Sequence, residues 1–172
     1  MKYIYLVLLI LLFSACQPMD TTPTPEPLVP LPDHTPPVKA QAHMDVINFY
    51  VYLNHGKYDE AVALYGGSYD TLQGWNPDLD PQDKAGLLKR GCEQNGLMCL
   101  QLYSADLVAN VPENEFTYEV SFRNTDNSRF VLGPCCGADE TEMPPITYFE
   151  VHVVCTTQGY RCKVLELPPY VP

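Results

Sequence analysis

Near residue 100 the spacing of apolar side chains changes from a helical repeat to a strand repeat, which confines the folded part of the chain to an α+β architecture. Upstream, Met44, Ile47, Tyr50 and Val51 recur at helical intervals before Asn54-His55-Gly56 supplies a stop. Residues 58–65 predict a shorter second helix that ends at Gly66-Gly67. Asp80-Pro81-Gln82-Asp83 predicts the start of a third, with Asp80 as N-cap, proline at the first helical position and a further acid in the first turn. That helix is expected to carry Leu87, Leu88 and Cys92 inward and to finish by Gly96. Downstream, Phe116, Tyr118, Val120 and Phe122 alternate with Thr117, Glu119, Ser121 and Arg123, the period of a strand with one buried and one wet face. Residues 100–108, 128–132, 146–155 and 160–167 read as further strands, with turns at 124–127 and 156–159. Three N-terminal helices packed on one face of a curved antiparallel sheet are therefore expected for residues 41–172.

The start of the chain reads as an address. Lys2 precedes an uninterrupted apolar run over residues 3–13. As a helix those eleven residues would reach only about 16 Å, roughly half a hydrocarbon core, so residues 1–15 are expected to be a cleavable export signal. Phe13-Ser14-Ala15-Cys16 resembles the lipobox of bacterial lipoproteins, with Phe13 where leucine is commonest. The resemblance implies that Cys16 takes a diacylglycerol and becomes the first residue of a lipid-anchored, extracytoplasmic protein in the cell envelope. Residues 17–40 contain eight prolines, which fix φ and withhold backbone donors, so residues 16–40 are expected to be a lipidated cysteine and an extended spacer. At about 3.1 Å per residue such a spacer could hold the domain up to about 75 Å from the bilayer.

Charge and sulfur narrow the role of the domain. Ten Lys and Arg against 21 Asp and Glu, a net charge of −11, argue against nucleic acid, whose phosphates require neutralising cations. Apart from Cys16 there are six cysteines, and an exported chain is expected to oxidise them. If Cys155 lies opposite Cys162, then Val153 faces Val164, and Phe149, Val151, Val153, Cys155, Cys162 and Val164 share the buried face; this parity favours a 155–162 staple. Cys92 and Cys99 flank the end of the third helix, where Gly96 lets the chain fold back, and are the next pair. Cys135 and Cys136 remain, as a strained vicinal pair or split among the others. No C-x-x-C occurs and the histidines are scattered, which disfavours metal and redox roles; no cofactor is expected.

The order of elements, with the first-helix run 46–58 and Gly56-Lys57-Tyr58-Asp59-Glu60-Ala61, resembles the NTF2-like (cystatin-like) fold, a cone of three helices and a bent sheet. That family includes isomerases, dehydratases and many non-catalytic binding modules. No P-loop, H-E-x-x-H, G-x-G-x-x-G or G-x-S-x-G is present, and Ser68 after Gly66-Gly67 lacks the context of a nucleophile elbow. The candidate acid/base pair is Glu150 with His152, two apart and so on one face of a strand, although parity places both opposite Phe149, Val151 and Val153 as an exposed ion pair. Trp75, Tyr118, Phe122 and Tyr148 are candidates to line a pocket, with core packing as their simpler use. Asn76, Asp78, Asp80 and Asp83 read as turn and cap residues rather than a calcium loop, and His43 and His55 as solvated helix-end residues. The expectation is a tethered, non-catalytic module for a small-molecule, glycan or protein ligand, with an NTF2-like enzyme as the alternative. Dimerisation through the sheet is left open.

Overall fold

A computed structural model describes residues 38–111, 114–156 and 161–172, which belong to one compact unit. The export signal, Cys16, the spacer up to residue 37 and the expected turn residues 157–159 lie outside the described residues. Among the described residues there are four helices, α1 (Val38–Asn54), α2 (Tyr58–Leu64), α3 (Asp70–Trp75) and α4 (Lys84–Glu93). Four strands follow, β1 (Gln101–Val111), β2 (Glu115–Arg123), β3 (Phe149–Cys155) and β4 (Cys162–Val164).

The helical half departs from the sequence reading in four respects. α1 already includes Val38, Lys39 and Ala40, which were expected to be extended. It buries Ala42, Asp45, Val46, Phe49, Tyr50 and Leu53, whereas Met44 is half exposed and Ile47 and Val51 only partly covered. The helix is apolar on several sides, so periodicity alone could not choose the stripe. The chosen stripe contains an acid, Asp45, because its Oδ1 accepts from Gln41 Nε2 at 2.8 Å and its Oδ2 from the backbone N–H of Cys162 at 3.3 Å. α3 was not expected; it is six residues long with a glycine inside, and it is held by insertion of the fully buried Leu72. α4 begins at Lys84 rather than Asp80. Asp80 instead closes a turn, accepting from the Gln82 N–H at 2.9 Å, and Asp83 caps the helix by accepting from the Gly86 N–H at 2.8 Å.

The sheet is antiparallel in the order β1-β2-β3-β4. Phe116, Tyr118, Val120 and Phe122 are all buried as their alternation predicted. Ser121 is also buried, and it shares a hydrogen bond with Ser104 across the ladder at 2.8 Å. In the last hairpin Cys155 stands opposite Cys162 and Val153 opposite Val164, the expected register. The segment 128–132 does not become a strand. β3 occupies the edge of β2 from Glu115 to Val120, which leaves only its last residues free, so this segment makes single bridges at Arg123–Arg129 and Leu132–Ile146. Ile146 is taken by that bridge, and β3 consequently starts at Phe149.

The buried side chains of helices and sheet form one hydrophobic core. Tyr50, Tyr118, Phe49, Phe122, Leu53, Leu72, Leu87, Leu88, Val120, Val151 and Val153 are fully buried together. Tyr50 meets Phe122 edge-on at 5.2 Å, and Phe49 stacks on Tyr65 at 5.6 Å. Each such side chain contributes about 1.5–3 kcal/mol by leaving water. The end of α4 is set by Gly96, at φ +84°, where a Cβ would lie 2.1 Å from the Val171 carbonyl oxygen. The Val171 N–H in turn donates to the Gly96 carbonyl at 2.9 Å, fastening the C-terminal segment there.

Candidate functional site

The predicted acid/base pair lies on the outer face of β3. Glu150 and His152 point away from the buried Val151 and Val153, opposite Glu119 and Thr117 of β2. His152 Nε2 is 3.4 Å from Glu150 Oε1. A third group, which the sequence reading missed, is closer: Glu166 Oε1 lies 2.8 Å from His152 Nδ1, and Glu166 Oε2 accepts the His152 backbone N–H at 2.6 Å. Strand alternation from Cys162 and Val164 would send Glu166 inward, but β4 stops at Val164 and the alternation stops with it. The hydrogen bond to Glu166 raises the imidazole above its ordinary value, against some desolvation, with the charges of Glu166, Glu150 and Glu115 adding to it. This imidazole is oriented and basic. Its side chain is 49% exposed, and it lines, with Phe116, Thr117, Val154 and Leu165, a groove of about 380 Å³, so the proton it could move is open to water.

The four aromatic candidates are not brought together. Tyr118 and Phe122 are in the core, and burial pushes the Tyr118 hydroxyl up to about 12. Trp75 stacks on Tyr170 at 4.7 Å beside the C-terminal segment. Tyr148 is exposed and accepts a hydrogen bond from Arg129 Nη1 at 3.0 Å.

That last contact belongs to a cluster the sequence did not reveal. β1 has one extra residue, Tyr103, between Leu102, which pairs with Phe122, and Ser104, which pairs with Ser121. Such a bulge re-aims the side chain it carries, and Tyr103 stands out from the sheet, 44% exposed. Arg123, at the end of β2, places its guanidinium 4.3 Å from the centre of that ring. The turn after β2, with Asn127 at φ +66°, returns the chain so that Arg129 bridges to Arg123 and lies 4.8 Å from the same ring and 5.5 Å from that of Tyr148. Tyr103, Arg123, Asn127 and Arg129 line a recess of about 220 Å³. Sequence spacing gave no signal for it, because the bulge decides where Tyr103 points.

Cys92–Cys99 and Cys155–Cys162 are bonded, the two pairs favoured by parity and by the turn at Gly96. Cys135 and Cys136 are left as thiols with their sulfurs 2.8 Å apart, Cys136 at φ +61°. Of the acidic run, Asn76 is buried and donates to the Leu72 carbonyl at 2.8 Å, while Asp78 takes two hydrogen bonds from Arg90 Nη1 at 2.8 and 2.7 Å. His43 sits 5.8 Å from the Tyr118 ring, and His55 is exposed. Among the described residues no group of three or more histidines, cysteines and acids is placed to hold a metal, and no helix is long and apolar enough to cross a membrane. Comparison with protein-family models, with curated proteins and with solved structures finds no match in any of the three.

Proposed function

We propose that this chain is an exported, lipid-anchored module, its domain of the NTF2-like type, that binds a ligand through its outer surface and carries out no reaction. The observation that carries this reading is the apolar, aromatic interior. In an NTF2-like enzyme the acid/base groups work inside the cone, whereas here that volume holds Tyr50, Phe49, Tyr118 and Phe122, and His152 with its two acids faces solvent. The two disulfides accord with an oxidising compartment. An extracytoplasmic isomerase or dehydratase is the competing reading, and the orientation of His152 by Glu166 at 2.8 Å is the observation in its favour. Metabolic labelling with a radioactive fatty acid, combined with complementation of a deletion strain, tests the choice. Acyl label on the wild type but not on Cys16→Ser, with complementation lost in Cys16→Ser and kept in the Glu150→Gln/His152→Gln double variant, is expected. An unlabelled Cys16 removes the tether. Loss of complementation by the double variant at normal protein level transfers the case to the enzyme.

A further inference from the structure

We infer that Arg123 and Arg129, gathered on the ring of Tyr103, form a binding site for an oxyanion, a carboxylate or phosphoryl group carried by a small ligand. The inference rests on the reading of the domain as a surface-binding module and names the chemistry that surface takes. Two guanidiniums lie 4.3 and 4.8 Å from the centre of one ring, which gathers two positive charges in one small region. On a chain with 21 Asp and Glu against 10 Lys and Arg, a neighbouring acid would be the ordinary relief. Among the described residues neither arginine is given an acid within ion-pair distance, whereas Arg90 pairs with Asp78 and His152 with Glu150 and Glu166. Asp126, the nearest acid to both in sequence, is instead engaged by the backbone N–H and hydroxyl of Ser128.

The arginines are held in place without a counter-ion. Tyr103 is aimed by its bulge and Arg129 by the turn at Asn127, with the Tyr148 hydroxyl accepting one Nη1–H at 3.0 Å. Arg129 also hydrogen-bonds Tyr103, and both arginines line, with Tyr103 and Asn127, a recess of about 220 Å³. Planar forks of this kind match the paired oxygens of carboxylate and phosphate, and stacking on tyrosine fixes their planes in advance. An anion entering the recess supplies the counter-charge that no acid provides there.

Calorimetric titration of the purified full-length chain with sodium glucuronate, and separately with inorganic phosphate, tests the site. Saturable binding of at least one probe is expected, and which one binds assigns the group as carboxylate or phosphoryl. Arg123→Gln and Arg129→Gln should each weaken it by about tenfold or more, the scale of one charge-assisted hydrogen bond. Arg129→Lys keeps the charge without the fork and should lose part of the affinity. Lys57→Gln removes the same charge outside the recess and should bind as the wild type does. Melting curves of the variants check that each is folded. Absence of saturable binding by both probes, unchanged affinity in both glutamine variants, or an equal loss in Lys57→Gln overturns the inference. Normal acylation of Cys16 without oxyanion binding would defeat this site alone; oxyanion binding without acylation would defeat the tether alone.

Discussion

His152 stands between two acids that act unequally. Glu166 bonds Nδ1 directly at 2.8 Å, while Glu150, at 3.4 Å, acts through its charge. Glu166→Gln is therefore expected to lower the His152 titration midpoint further than Glu150→Gln, as read by NMR of the ring protons. The raised value also fixes the sign of a stability effect. The folded chain favours the imidazolium, so the contribution is complete below the ordinary value of 6.5 and fades as pH climbs through the folded value. Melting temperatures of wild type and His152→Gln should differ on the acid side and converge on the alkaline side; a gap that widens with rising pH would contradict this. Asp126 has the opposite sign, because the bonds from Ser128 hold its carboxyl below 3.8 and its contribution is lost only as pH falls beneath that. Asp83 acts as the cap of α4. Its replacement by alanine leaves the Gly86 N–H uncapped and should cost about 1 kcal/mol in urea unfolding.

At the scale of elements, the telling link is Asp45, which joins α1 to β4 through the Cys162 N–H. Asp45→Ala strands that buried donor and should cost about 1–3 kcal/mol, whereas Asp45→Asn keeps an oxygen acceptor and should cost less; denaturant midpoints compare them. Asp45 also shows where sequence reading stops. The alternation of Phe116, Tyr118, Val120 and Phe122, and the Cys155–Cys162 register, were legible because strand period 2 depends only on which face is wet. The buried stripe of α1 was not, because its choice depends on a partner 117 residues away in β4. The abortive strand at 128–132 was likewise invisible, since only the tertiary pairing of β3 shows that most of that β2 edge is occupied. Glu150 and His152 were legible as an exposed pair; Glu166 and the arginine recess arise where regular pairing ends or slips, and period carries no information there.

For the whole molecule, the sulfur inventory is the most direct check. Of the six cysteines from Cys92 onward, four are bonded and two are thiols. Alkylation of the native chain followed by intact mass should add two labels among these six, and reduction should expose four more. Three or more labels before reduction would break the staples on which the last hairpin and the end of α4 rely. The spare residue in β1 has a different bearing. Leu102 and Ser104 already face consecutive partners, Phe122 and Ser121, so excising Tyr103 would leave every rung of the hairpin its mate while deleting the platform under both guanidiniums. If the recess takes the proposed oxyanion, scaffold and recognition are separately heritable in this chain: a single codon lost in frame would silence recognition and spare the scaffold.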